Sequence, residues 1–410
     1  MKKCAIITPG FLPVPAVLGG AVEVLIEELV IANEKNPKFM IDLYTVENPK
    51  LKNIKYNYCR IIEIPLKSKR IYTMIKKAKH LLFRKILRNK EYLISEFGLV
   101  VKYKIKHKKY DYTIVENNAV VFNSLKMNKN MIYHLHNNLD DGRPEYIIRK
   151  IISNCICTLS VSKYLQREMN KILESEKNKV LYNCVDLDVF NYNNIDFKWQ
   201  KAFKENHKIN DDDFIFYFCG RITKEKGVME LIKAFTKIAN SYDNVKLLIV
   251  GKGWFGKKEL SNYEKQLYSI SKSYTDKIIF TGFVDHNFIP NILSLANCVV
   301  IPSTWQEPFG VVALEAMAMQ KAIIATKSGG LIEPLEGCSI LINNDKRIVE
   351  NLYNSMKKII TDDPLRHDLE NLSYKKLLGT EEFNSKNYFT NFLKAIEGGQ
   401  TNENKEFNKK

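Results

Sequence analysis

Short β-rich runs alternate with stretches of helical periodicity along almost the whole chain, and the pattern occurs twice. In the first half "CAIITP", "MIDLYTV", "DYTIVE", "MIYHLH" and "CICTLSVS" have the apolar density of strands buried on both faces. The segment "AVEVLIEELVIAN" repeats its apolar residues at helical spacing. The second half offers "FIFYFCG", "VKLLIVG", "KIIFTGF", "CVVIPS", "AIIATK" and "SILIN", with a helical pattern over "GVMELIKAFTKIAN". Such alternation predicts parallel α/β sheets, and 410 residues exceed one ordinary core. We therefore expect an α/β chain of two facing Rossmann-like domains, residues 1–190 and 198–383. The polar, Asn-rich "DLDVFNYNNIDF" is the expected hinge, a last helix runs over about 384–397, and 398–410 is too polar to fold.

Other classes are disfavoured. The opening "MKKCAIITPGFLPVP" resembles a signal peptide for only about five apolar residues before Pro9, Gly10, Pro13 and Pro15 interrupt it. No run reaches the ~18 apolar residues of a membrane span, so a cytoplasmic location is expected. The eight cysteines include no Cys-x-x-Cys and lie mostly in strand-like runs, as reduced core thiols would. Net charge is +17, and residues 1–110 hold 23 Lys+Arg against 9 Asp+Glu, so +14 of it sits in the first quarter. Within that quarter Ile71, Met74, Ile75, Ala78, Leu82 and Ile86 fall at helical spacing among lysines and arginines. A basic amphipathic helix predicts peripheral contact with an anionic membrane, here the inner face of the cytoplasmic membrane.

In open α/β sheets ligands bind where strand ends lead into helices, and several such junctions carry chemistry. "STWQEPFGVVALEAMAMQ" follows a strand and places Glu315 alone in an apolar run, with Glu307 eight positions before it. A buried, unpartnered carboxylate is costly, whereas a ribose diol offers it two O–H donors. Glu307 is placed to hold hydroxyls of a second sugar. Phe309 and Gly310, after Pro308, are expected to lend backbone N–H groups to an anion at a helix start. In "FCGRITKEKGV" Arg221 and Lys226 lie five apart across a turn and suit a diphosphate. Gly19 and Gly20 precede the first helix and let a backbone approach a ligand, or simply make a turn. "YHLHNN" ends a strand with His134 and His136 on one face, His136 nearer the end. "IVGKGWFGK" fits Gly-x-Gly-x-x-Gly, but the next strand ends without the acidic residue that NAD requires. Asp186/Asp188 and Asp211/Asp213 have Asp-x-Asp spacing in polar turns, and with two cations available no metal or other cofactor is expected.

Together these segments resemble the retaining glycosyltransferases of family 4, which have the two-domain GT-B fold. The resemblance covers Gly19–Gly20, His136, "SVSKYLQRE", "LYNCVDLDVF", "GRITKEKGV", "EPFGVVALEAMA" and "SGGLIE", in that order. It implies acceptor binding in the first domain, donor binding in the second, and a final helix crossing back to the first. It further implies that Arg221 and Lys226 bind the donor diphosphate with Gly310 and the Gly19–Gly20 backbone. Glu315 would hold the ribose, Glu307 the transferred sugar, and His136 would sit beside the reacting centre. Cys184 stands where that family has glycine, which puts the local turn in question.

The expected activity is therefore transfer of a sugar from a nucleotide-sugar, UDP-sugars being the favoured class, to a glycan or lipid-linked acceptor. The basic first quarter points to a cell-surface polymer such as lipopolysaccharide or capsule. Three rivals remain at this stage. A nucleotide-sugar 2-epimerase would need no acceptor, and a glycoside hydrolase would use Glu307 and Glu315 as acid and nucleophile. A polyanion- or nucleic-acid-binding protein would leave the second half's clustered residues unexplained; no nucleic-acid partner is expected.

Overall fold

The computed structural model describes residues 1–66, 95–125, 130–139, 144–253 and 260–397. The basic amphipathic helix expected around 71–86, the bulky part of "GKGWFGK" and the polar tail lie outside these residues. The chain divides into two units, Met1–Tyr182 with the stretch from Tyr388 onward, and Asn183–Asn387.

The first unit contains β1 (Lys2–Ile7), β2 (Phe39–Val46), β3 (Cys59–Ile64), β4 (Tyr112–Glu116), β5 (Met131–Leu135), β6 (Cys155–Ser160) and β7 (Asn178–Val180). They form one parallel sheet in the order β3-β2-β1-β4-β5-β6-β7. The second unit contains β8 (Phe214–Cys219), β9 (Val245–Val250), β10 (Ile278–Gly282), β11 (Cys298–Ile301), β12 (Ala322–Thr326) and β13 (Ile340–Ile342). Its order is β10-β9-β8-β11-β12-β13, again all parallel. Every residue of β4, β5, β6, β9 and β12 is buried. Both faces of these strands are covered, so their sequences are continuous apolar runs rather than alternating ones. Phe216, Leu247, Leu231, Phe235 and Met356 lie together in the second unit's core.

Sequence reasoning missed β3 and β7. Both are edge strands: β3 is interrupted by Arg60 and Glu63 and only half-buried at its centre, and β7 is three residues long.

The unit boundaries differ from the expected ones for a physical reason. Val185 N–H donates to Phe383 O at 2.9 Å, and Ser385 N–H to Val185 O at 3.0 Å, so Val185 bridges to the chain at 383–385. The Asn-rich stretch expected to be a hinge is anchored in the second unit, where Tyr192 Oη donates to Met319 O at 3.0 Å. Cys184 is buried and is not among the described non-glycine residues at positive φ, which are Asn117, Lys208 and Gln320. This backbone therefore accepts a side chain at 184 without strain. All eight cysteines are free thiols, seven of them buried.

Candidate functional site

Strand order reverses between β8 and β11, and the loops leaving the carboxyl ends of these two strands are Gly220–Gly227 and Pro302–Gly310. This is the switch point at which open α/β sheets bind ligands. The loops touch backbone to backbone. Gly227 stands at φ +70, and a Cβ there would lie 1.8 Å from Pro302 O. Thr304 N–H donates to Glu225 O at 2.9 Å. That contact brings Lys226 Nζ to 2.6 Å from Glu307 Oε1, which also accepts from Ser303 Oγ at 2.5 Å. Glu307 is only 3% exposed, held inside this loop contact. Burial pushes its carboxyl pKa up, but the Lys226 charge and the hydrogen bonds outweigh this and hold it below the usual range. The Glu307 backbone is clamped too, its N–H donating to Ser328 Oγ at 3.1 Å and its C=O accepting from Gly330 at 2.7 Å.

The helix Val311–Ala318 begins at Gly310, φ +93, with no side chain capping it. Phe309 is fully buried and packs on Phe383, ring centroids 5.8 Å apart, which fixes the helix entry. Glu315, 6% exposed, meets His286 Nε2 at 3.1 Å. Arg221 shares the first loop with Lys226, and its guanidinium lies 4.0 Å from Glu225. The structure thus brings Lys226 and Glu307 into direct contact, joins Glu315 to His286, and leaves Arg221 more than a third exposed. Gly227, Ser303, Ser328 and His286 were missed. Gly227 closing "KEKG" and Ser303 four residues before Glu307 were visible signals; His286 was not.

The first unit has the same arrangement, its order reversing between β1 and β4. Gly19 and Gly20 lie at φ +76 and +108 before the helix Ala21–Lys35. A Cβ on Gly20 would fall 2.2 Å from Glu23 Oε2. The Glu23 carboxyl therefore packs where a side chain at position 20 would lie, which requires glycine there. Burial, with Glu116 adding to it, pushes the Glu23 pKa up to about 7. His136 follows β5, and His134 and His136 indeed share one face, ring centroids 3.9 Å apart. Both reach Glu116 at the end of β4. His136 Nε2 lies 2.9 Å and His134 Nδ1 3.1 Å from Glu116 Oε2. Among the described residues this is the group of His, Cys, Asp and Glu side chains close enough to hold a metal ion. Each facing nitrogen is already engaged with the Glu116 carboxylate.

Gly251, offered by the dinucleotide pattern, serves the sheet instead: a Cβ there would be 2.0 Å from Gly220 O.

Residues 200–376, which lie within the second unit, match the family Glycosyl transferases group 1. Over 200 residues the chain is 35% identical to an uncharacterized glycosyltransferase, MJ1607, of Methanocaldococcus jannaschii, covering 47% of this chain and 48% of that protein. It is 23% identical over 286 residues to a lipopolysaccharide 1,2-N-acetylglucosaminetransferase of Salmonella typhimurium, covering 68% and 72%. The crystal structure of Anabaena HepE with UDP and glucose superposes with a TM-score of 0.71 at 16% identity, covering 97% of this chain and 100% of that one. The fold is GT-B. The archaeal match spans about half of that relative's length. Among the described residues no helix is long and apolar enough to cross a membrane.

Proposed function

We propose that this chain is a retaining, metal-independent glycosyltransferase using a nucleotide-sugar, of UDP class, and a glycan or lipid-linked acceptor of the cell surface. The observation that carries this reading is the Lys226–Glu307 pair at the second unit's switch point, beside helix starts at Gly227 and Gly310 that no side chain caps. Lys226 has three N–H donors, and its bond to Glu307 leaves others for phosphate oxygens. Arg221 adds a fork, and the uncapped helix starts add oriented N–H groups. As the bond from the anomeric carbon to the diphosphate breaks, these donors meet the charge growing on the leaving oxygen. The acceptor hydroxyl forms the new C–O bond on the same face, and its proton passes to the departing phosphate. Glu315 holds the ribose, Glu307 hydroxyls of the moving sugar, and His136 serves the reacting centre. Work on acceptors at the cytoplasmic membrane surface fits the basic first quarter.

The names of the Salmonella relative and the UDP- and glucose-bound Anabaena structure support this substrate class. A glycosidase reading loses ground, because a Glu307 held ionised by Lys226 is a poor proton donor.

The test separates chemistry from stability. Lys226→Ala leaves Glu307 buried without its cation, which destabilises by about 3–5 kcal/mol. Adding Glu307→Gln restores much of the melting temperature. Turnover of nucleotide-sugar stays down about 100-fold or more in both, the range for loss of one oriented donor to a leaving group. Wild-type turnover in the stable double variant would sink the scheme.

A further inference from the structure

The end of β4 holds His136 in every degree of freedom. Asn117, in the left-handed region at φ +47, turns its Oδ1 to accept from His136 N–H at 3.0 Å and from Asn137 N–H at 3.1 Å. Its own N–H donates to His134 O at 2.7 Å. Glu116, one residue earlier, takes the ring: His136 Nε2 lies 2.9 Å from its Oε2, and both side chains are almost fully buried. A left-handed backbone at a non-glycine residue is uncommon and is kept where surroundings over-determine it. Here it sets two consecutive side chains onto the same neighbouring strand end. The ring nitrogen on the far side, His136 Nδ1, is buried and has no hydrogen-bond partner. A buried polar atom in that condition calls for an explanation.

We propose that the dipeptide Glu116–Asn117 is a positioning clamp that fixes His136 as its Nε2–H tautomer, leaving Nδ1 as a bare acceptor for a hydroxyl of the reacting sugars. An ionised Glu116 can only accept, so the nitrogen facing it must carry the proton and the opposite one must present a lone pair. The same oxygen takes His134 Nδ1–H, which keeps a second donor on Glu116. Burial pushes His136 down to about 4, with His134 adding to it, so the ring is neutral at pH 7 and accepts a hydrogen bond without taking the proton. The catalytic part of this inference rests on the transferase reading; the tautomer does not.

Two measurements therefore divide the outcomes. The chain has seven histidines, so nitrogen-15 labelling of histidine alone gives a resolvable NMR spectrum, and a His136→Gln variant assigns the ring. The expected result is an Nε2–H tautomer for His136 and Nδ1–H for His134 in the wild-type protein. An Nδ1–H tautomer at His136 overturns the clamp whatever the enzyme does. In turnover assays with a nucleotide-sugar, Glu116→Ala should lower kcat about 10- to 100-fold with donor KM within about 2-fold. Glu116→Gln, whose carbonyl oxygen still accepts and whose shape matches, should recover most of kcat and guards against misfolding. Equal loss in both variants, or wild-type kcat in Glu116→Ala, overturns the positioning role. A protein that turns over no nucleotide-sugar yet shows the expected tautomers refutes the transferase reading and leaves the clamp standing.

Discussion

Glu23 and His136 are buried in the same unit and titrate with opposite consequences for stability. Glu23 is raised to about 7 in the fold against an ordinary 4.5, so between those values the native state holds more protons than the unfolded chain. Stability from this group falls as pH rises from 4.5 to 7. His136 is lowered from 6.5 to about 4, so its contribution is lost as pH falls through that window. In the wild type the two slopes oppose one another. Glu23→Gln removes the first and mimics the protonated acid. Relative to wild type, its thermal stability should therefore gain on the order of 3 kcal/mol between pH 5 and pH 8. Melting temperatures at several pH values check this, and parallel curves for the two proteins would refute it. Glu315 was legible as an anomaly because a carboxylate in an apolar run has to be answered by something. The answer, His286, is 29 residues away in sequence, in the turn His286–Phe288 that follows β10, and only the fold brings it near. Glu23 was invisible for a different reason: at a helix start it looked like an ordinary dipole-facing acid.

At the level of elements, three helix starts among the described residues share a glycine at positive φ. Helices Ala21–Lys35, Val228–Ala239 and Val311–Ala318 follow β1, β8 and β11, begin at Gly20, Gly227 and Gly310 in positive φ, and have no capping side chain. Helices Glu96–Ile105, Lys163–Ile172 and Asn262–Ile270, by contrast, are capped by Ser95, Ser162 and Ser261. A serine cap would occupy the N–H groups that an anion needs. The two second-unit glycines should differ in tolerance. At Gly227 a Cβ meets the backbone carbonyl of Pro302, which cannot move without parting the two loops. At Gly310 it meets Leu331 Cδ1 at 2.7 Å, the far end of a flexible side chain. Under the proposed function, Gly227→Ala should lower the melting temperature more and abolish stabilisation by UDP, while Gly310→Ala retains part of it. Differential scanning fluorimetry with and without nucleotide decides, and the reverse order would refute the loop contact. The strand alternation was legible because strands buried on both faces need unbroken apolar runs. The edge strands were not: β3 is broken by the polar Arg60 and Glu63, which meet Asp42 and the Asn48 N–H instead of a core, and β7 is three residues long.

For the molecule as a whole, the second unit lies between two parts of the first along the chain, because the last helix, Ser385–Glu397, ends in the first unit. Tyr388, Phe389, Phe392 and Ile396 are buried, from 1% to 5% exposed. Phe389 meets Phe39 of β2 edge-on at 6.2 Å, and Lys179 Nζ donates to Ala395 O at 2.8 Å. Burying four such side chains contributes about 6–12 kcal/mol at ~1.5–3 each. That is comparable with the ~5–15 kcal/mol net stability of a domain. The apolar spacing in "NSKNYFTNFLKAIE" showed the helix, but nothing within it says which unit it covers. Removal of residues 388–410 should therefore unfold the first unit and spare the second, whose sheet and core lie within 183–387. Limited proteolysis of the truncated chain should degrade 1–182 and leave a fragment near 183–387 intact. A truncated chain whose first 182 residues resist protease as the full chain does would mean that the helix merely rests on a unit that is stable without it.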